Sequence, residues 1–565
     1  MKKLLGLISL PLTSHSKFLQ KTSLLSVFFM SCCILPTLSA VELFPFQAPK
    51  NFQIFIDQDG VYHPVTTPYP EAQRWFNQGL TLIYAFNHEA AYWSFQNAAE
   101  IDPNMAMAYW GMALAIGPNI NMDITPEREK VAYEAIQKAL QLSDTITDNE
   151  KAYIRALAIR YSDNPQFDRK QLAYHYKNAM KQVVDKFPDD LDAATLYAES
   201  ALDLNPWKQW DAKGNPVEGT LAVVETLEGV IKRDPNHLGA NHYYIHAIEA
   251  SCYPERALMS AQRLRHMLPQ SGHILHMPAH IYLLVGDYHT AAICNEEAVA
   301  ADRAYIRKYG MQGIYPLHYL SHNLYFLSRA YSMEGRFEDA KRAGDDLYHF
   351  YAPYFQAMPE LEYYIPTSLF VLLRFQRWSD ILKAPAPDSR MLISRSLWHF
   401  ARAMALASLG QFPQAQQEQN FFIKNAQQIP PNTMYGYNKA EDILAIAALV
   451  LRAKLVETQK DPFAALDFLQ QAIAIQDQLN YNEPPDWFFP VRENLGGLLL
   501  RNQQYLEAEQ VFRQDLNKHP RNGRALFGLL ESLKGQKRYN DAFWVERQWE
   551  KAWRYSTTHL NLANL

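Results

Sequence analysis

Between Trp75 and Ala542 apolar residues recur three and four apart in helix-length runs, and Gly, Pro or short polar turns separate the runs. The first clear unit sets the spacing: Trp75, Gly79, Ala91, Phe95, Ala98 and Pro103 stand at intervals of 4, 12, 4, 3 and 5. That grid predicts two antiparallel helices. Small residues let the helices approach closely, and Pro103 ends the second one because proline lacks an N–H and clashes with the preceding turn. The grid returns as Gly286, Tyr288, Ala291 and Ala298, as Gly335, Phe337 and Ala340, and as Gly410, Phe412 and Ala415. Near the end it reads Gly496, Tyr505, Ala508, Phe512 and Pro520, then Tyr539 and Ala542. Helical periodicity over Lys130–Leu142, Lys151–Tyr161, Ala193–Leu204 and Ala222–Lys232 fills the gaps, for about twelve helix pairs in all. Longer insertions fall at Pro118–Pro126 and Trp207–Val217.

Pairs of this kind bury their apolar faces only against their neighbours. They define an all-α fold, a tetratricopeptide-type α-solenoid: a right-handed superhelix of helix–turn–helix repeats, each with a helix A and a helix B. The array occupies residues 71–565, after a lead-in segment over 41–70. Residues 1–40 follow another pattern: Lys2, Lys3 and Lys21 are basic, Ser23–Leu35 is apolar and uncharged, and the small pair Ser39 and Ala40 precedes Val41. This is the layout of a secretory signal peptide. The apolar run of about 13 residues is shorter than the roughly 18 that cross a bilayer as a helix. Bulky Phe28, Phe29 and Met30 argue against lipid attachment at Cys32. The expected protein is exported, periplasmic or secreted, with no membrane span after the signal peptide. An uncleaved N-terminal anchor is the alternative.

Composition narrows the chemistry. Lys and Arg number 54 against 59 Asp and Glu, with no basic tract, so nucleic acid is not an expected partner. After residue 40 the only cysteines are Cys252 and Cys294, too few for a disulfide scaffold; Cys294, on a helix B, is expected to be packed rather than reactive. Histidine is the exception to an ordinary composition: ten of the 18 lie between 237 and 322. Three pairs are spaced four apart, His242 with His246, His276 with His280, and His318 with His322. The first two pairs are separated by one repeat length, 34 residues (276 − 242).

On the repeat grid, with Gly286 as position 15, His273, His276 and His280 take positions 2, 5 and 9 of helix A. His242, His246 and Glu249 take positions 5, 9 and 12 of the preceding repeat, and His318 and His322 fall at the start of a later helix A. Residues four and seven apart share a helix face, and adjacent A helices pack about 8–10 Å apart, so these side chains converge on the concave groove. His242, His246, His276 and His280 should form the cluster, with His273, His318 and His322 at its edges. Imidazole nitrogen suits zinc or copper, and a pair four apart can fill two coordination positions, with Glu249 supplying a carboxylate. Pro278, between His276 and His280, must start or kink the helix. Asn87 and His88 are expected to cap a helix B. Glu483–Trp487 and Asn522–Gly523 read as structured loops and helix starts, the first placed to close the groove.

Several blocks resemble a bacterial family of exported tetratricopeptide proteins. They include FNQGLTLIYAFNHEAAYWSFQNAAEIDPN from residue 76, HYYIHAIEASCYPERAL (242–258), HILHMPAHIYLLVGDY (273–288), HYLSHNLYFLSRAYSMEGRFEDA (318–340) and the stretch 484–529 beginning PPDWFFP. The likeness spans nearly the whole chain after residue 40. It implies the fold and export and brings no activity with it. The family pattern implies a further histidine at 325, where this chain has Tyr325.

No first histidine of a pair is followed by Glu, so the zinc-protease HExxH is missing, as are GxSxG, a phosphate-binding loop, a dinucleotide fingerprint and CxxC. Three functions remain: a histidine-ligated metal in the groove with a partner or small ligand, a metal-free scaffold for a protein or peptide, and a metal-dependent enzyme. Mass spectrometry of the exported chain should find Val41, or a residue within a few positions of it, as the N-terminus; an intact Met1 would favour the anchor.

Overall fold

The computed structural model describes residues 46–56, 60–164, 166–313, 315–355, 359–459 and 461–565, so the signal peptide expected over 1–40 lies outside the described residues. The repeat grid is realised in packing. Phe95, fully buried on helix His88–Ile101, lies between Gly79 of the preceding helix Pro70–Tyr84 and Gly111 of the following helix Ala106–Ile116. A Cβ at either glycine would come within 2.6 Å of its ring. More than four hundred residues later, Phe512 sits between Gly496 and Gly528 in the same way. An aromatic ring on helix B inserted between two successive A helices is thus the unit of the fold, and it forces small residues where the axes cross.

Twelve helix pairs follow one another among the described residues, from Pro70–Tyr84 with His88–Ile101 to Gly523–Gly535 with Tyr539–Trp553. The helices expected from periodicity appear as Pro126–Gln141, Asp148–Ala158, Leu191–Leu202 and Thr220–Arg233. The only strands described are Met434–Tyr435 and Asn438–Lys439, a minimal antiparallel hairpin. Turns repeat their chemistry too. Asp102 and Asp234 each end a helix B before Pro, and their carboxylates accept the N–H two residues on, at 3.1 and 2.9 Å. Cys252 and Cys294 are both free; Cys294 is fully buried and burial raises its pKa to about 12.

The superhelix winds back on itself. Gly239, in the fifth pair, lies against the ring of Tyr84 in the first. Tyr288 donates its hydroxyl to the Pro520 carbonyl at 3.0 Å, and Gly286 is pressed against that carbonyl. The Gly335 carbonyl accepts from Ser556, Thr557 and Thr558 at 3.0, 3.2 and 2.8 Å. The lead-in runs extended along the first helix, where Gln78 accepts from the N–H groups of Phe55 and Ile56 at 2.8 and 3.1 Å. Its Phe52 and Phe55 reach Tyr309 in the sixth pair. What was expected as an open concave groove is therefore an enclosed interior.

Two glycines test the closure against each other. Gly286 (φ +77°) and Gly410 (φ +75°) share a left-handed backbone, but a Cβ on Gly286 would lie 1.9 Å from the Pro520 oxygen while Gly410 has nothing within 4 Å. Gly410→Ala should cost only the backbone term, about 1 kcal/mol. Gly286→Ala should cost at least about 2 kcal/mol more by urea unfolding, with an expanded scattering profile, because the closing contact must also break.

Candidate metal centre

Helix Leu238–Ile248 begins where the His237 ring caps it, Nδ1 accepting from the Ala240 N–H at 3.2 Å. One turn on it presents His242, then His246, and Glu249 at its C-cap. In the next repeat Pro278 restarts the helix: Gly272–His276 and Pro278–Leu284 are joined through Met277, which keeps right-handed helical angles. His276 and His280 consequently still share a face. Their Nε2 atoms are 2.8 Å apart.

The interior sorts the histidines into two groups of three, His242, His246 and His273 in one, His276, His280 and His322 in the other. Within each group one ligand atom per residue lies within 4.8 Å of the others. His273 and His322, expected at the edges, are full members. His318 belongs to neither group: it is exposed, packs edge-on against Tyr319, and desolvation by the surrounding protein lowers its pKa to about 4. Five of the six grouped histidines are buried and His322 is half-buried.

Four of the six rings are oriented from behind. His242 Nδ1 donates to the Tyr84 carbonyl at 2.6 Å. His276 Nδ1 donates to Asn295 Oδ1 at 2.7 Å, and Asn295 is fixed the right way round because its amide donates to the Ala291 carbonyl. The Glu249 carboxylate takes one histidine on each oxygen, His246 Nδ1 at 2.8 Å and His280 Nδ1 at 2.5 Å. With the Nδ1 proton so assigned, a neutral imidazole has a bare lone pair on Nε2. Those lone pairs point at one another: His242 Nε2 is 3.1 Å from His246 Nε2 and 3.0 Å from His273 Nε2. His273 Nδ1 is buried without a partner.

Burial, and then the neighbouring imidazoles, hold His242, His273, His276 and His322 well below the usual histidine range. His246 is lowered by burial despite Glu249. His280 is the exception, since burial opposes its charge but Glu249 and Glu483 outweigh it and raise the pKa. Burial works against ionising Glu249 as well, and the two histidines still bring it down to about 2. Glu249, expected as a metal ligand, is thus engaged behind the rings. Tyr325 lies among Tyr363, Tyr364 and Phe488, and both groups of three are complete without it.

Other chain segments seal the interior. Phe86 occupies the turn position held by Gly286 and Gly335 in other repeats and adopts φ +55°, which is costly for a bulky residue. Its ring stacks on His246 and His273 and meets His242 edge-on at 4.5 Å. Asn87 caps the following helix as expected, accepting from Ala90; His88 is that helix's first residue, and burial lowers its pKa to about 3. The segment that leads into Glu483–Trp487 reaches the histidines through Tyr481. Tyr481 donates toward Glu249 at 3.1 Å and Glu483 at 2.8 Å, while Trp487 and Phe488 are buried. Asn522 caps helix Gly523–Gly535 and joins the buried ion pair of Arg374 and Arg524 with Glu493, away from the histidines. On the other side Trp207 meets His246 edge-on at 5.3 Å and stacks on Tyr437. Beyond those two rings lies a cavity of about 630 Å³ that reaches Asn119, Arg160 and Lys170. A third cluster, His63, Asp190 and Asp192, is accounted for by hydrogen bonds: Asp192 takes His63 Nδ1 at 2.7 Å, the Tyr84 hydroxyl at 2.5 Å and His237 Nε2 at 3.3 Å.

Sequence spacing located the histidines and Glu249 but not Tyr84, Asn295, Phe86 or Trp207. The one available signal was Phe86, a bulky residue where other repeats carry glycine.

No family model matches this chain, and no curated protein does. Similar solved structures include the APC/C hetero-tetramer Cut9–Hcn1 (12% identity, 88% of this chain and 77% of that one, TM-score 0.29). A human IFIT1 dimer with m7Gppp-AAAA has 12% identity over 86% and 91% of the two chains and a TM-score of 0.32. The P58(IPK) TPR domain has 11% identity over 83% and 99%, with a TM-score of 0.21. At these scores the fold stands on the chain's own packing.

The buried rings fix an acid response. In the unfolded chain these histidines titrate near 6.5, while in the folded chain His88, His242, His246, His273, His276 and His322 bind protons only at lower pH. Below about 6.5 the unfolded state therefore binds more protons, and stability falls with acid. His63 and His280, raised, act oppositely: their contribution is full below about 6.5 and is lost as pH rises through their folded values. With His318 also lowered, seven rings make acid destabilising, against His63, His280 and the buried carboxyls of Asp302 and Glu483, which burial raises to about 7 and which gain protons on folding as pH falls. The urea midpoint of chelator-treated protein should fall steadily from pH 7 to pH 5; a flat or rising midpoint would contradict the arrangement.

Proposed function

We propose that this protein binds a transition metal, copper or zinc, through interior imidazoles of an exported α-solenoid, together with a small ligand. The observation that carries the reading is the convergence of imidazole Nε2 atoms at 2.8–3.1 Å, with Nδ1 of His242, His246, His276 and His280 already hydrogen-bonded from behind. Where both rings of a pair are neutral and carry the proton on Nδ1, as in His242 and His246, the facing lone pairs repel unless a cation lies between them. A metal about 2.0–2.1 Å from each nitrogen fits that separation with an N–metal–N angle of about 85–100°. The donors are imidazole nitrogens with oxygen acceptors behind them, the usual second shell of a histidine-bound metal. We assign Glu249 to holding His246 and His280 by their Nδ1 atoms rather than to the metal itself.

A small ligand suits this interior better than an extended peptide, because Tyr481 already packs onto Glu249 and Phe86 onto His242, His246 and His273. One observation favours the enzyme reading as well, namely the cavity that ends on Trp207, one ring away from His246. A metal-dependent reaction would use a coordination position reached from there. Among the described residues no helix is long and apolar enough to cross a membrane.

Elemental analysis of untagged protein, with and without added copper or zinc, is the direct test. Wild-type chain should hold metal, and the His246→Asn/His280→Asn double variant should hold none while keeping its helical circular dichroism. Its melting temperature should drop, since both rings are buried and Glu249 loses both partners. Glu249→Gln keeps every imidazole and should weaken metal affinity about 10–100-fold. A wild-type ratio near zero with no uptake of either metal would leave the metal-free scaffold.

A further inference from the structure

We infer that the interior holds two copper ions, one in each group of three histidines, as a single coupled centre. This rests on the metal reading above and goes beyond it in number, identity and coupling.

The two groups are not separate sites on a surface. His246 and His280 rings are 5.7 Å apart between centroids and His273 and His276 are 6.0 Å apart, across the groups. Within the groups His280 and His322 are 5.7 Å apart and His246 and His273 are 6.3 Å apart. The closest rings inside the groups are nearer, at 4.8–5.0 Å, so the boundary adds only about 1 Å to the separation of neighbouring rings. Ligand nitrogens nevertheless close up in threes, and this favours two ions over one.

Glu249 ties the halves together. Its two oxygens orient His246 of one group and His280 of the other, so displacement of either ring moves the carboxylate that holds its counterpart. Phe326 packs on His276, His280 and His322, and Phe86 packs on the other three, so each group has its own apolar wall.

The donor set selects the metal. Three neutral imidazoles with no thiolate or carboxylate among the grouped ligands give each ion nitrogen only, and copper stands highest among the divalent first-row ions for such donors. Six neutral ligands also leave the charge of two ions to be balanced from outside the ligand shell. Two buried carboxyl groups are at hand, Glu249 and Glu483, both hydrogen-bonded by Tyr481. Two monovalent copper ions match two carboxylates. Two divalent ions would need further anions, and the space between the groups is where a small bridging one, hydroxide or azide, would bind.

The test uses the whole chain. Copper(I) is added anaerobically in excess, unbound metal is removed by gel filtration, and copper per chain is measured. Two per chain is expected, falling to one in His273→Asn and in His322→Asn. A saturating value of one in wild type overturns the inference and leaves the metal reading standing; zero uptake of copper and zinc overturns both. Two zinc ions with no copper overturns the copper assignment. Coupling is read without any variant: protein given two equivalents of copper(II) and excess azide should show an integrated electron paramagnetic resonance signal well below its copper content. A signal equal to the copper content would show two isolated ions and overturn the single centre.

Discussion

Five buried imidazoles, three meeting at Nε2 in one set and two in another, need defined places for their protons, and in this chain the Nδ1 acceptors supply them for four of the five. Tyr84, Asn295 and Glu249 take the protons of four rings, and the remaining lone pairs are turned inward. An unpaired polar group in such a place costs about 1–3 kcal/mol, so the same hydrogen bonds that prepare a ligand set also permit the burial. Asp192 extends the support outward. It holds the Tyr84 hydroxyl and the ring of His237, which caps the helix bearing His242 and His246.

Closure of the superhelix makes that interior possible. An open solenoid would leave its A-helix positions wet, and histidines there would titrate near their ordinary value. Here contacts between the first and fifth pairs, and between the middle and last pairs, remove the water. Part of the cost is visible at Phe86 and Trp207, bulky residues in left-handed backbone at φ +55° and +61°. Both direct an aromatic ring onto His246. A glycine would relieve the backbone at either position and remove the ring, so the strain and the enclosure of the histidines are one feature.

The helix-pair architecture was legible because it depends on local spacing: Gly79 with Phe95, and Gly496 with Phe512, write the crossing of two helices into the sequence at fixed intervals. The histidine positions were legible for the same reason, since His242, His246, His276 and His280 lie on one face of successive A helices. What was not legible depends on the path of the whole chain. Helical spacing cannot tell that the groove is closed, because closure is made by residues more than two hundred positions apart, such as Tyr288 with Pro520 and Tyr481 with Glu249. Nor can it tell a ligand from the group behind a ligand. Glu249 sits three residues from His246 on the same stripe, and only the direction of its carboxylate, onto two Nδ1 atoms, separates the roles.

An interior that refuses protons would at first sight refuse any cation, since burial penalises charge whatever carries it. The difference lies in how each cation is bound. A proton on Nε2 satisfies one lone pair and brings an N–H up against the next ring, whereas a metal ion accepts several lone pairs at once and removes their mutual repulsion. The low dielectric that depresses His242, His273 and His276 also strengthens attraction between a held cation and the carboxylate of Glu249. Glu249 stays ionised at the bottom of this interior because its two histidine partners pull its pKa down to about 2 against the cost of burial. The interior is thus poor for protons at every grouped ring but His280, and that follows from enclosure rather than from any one residue.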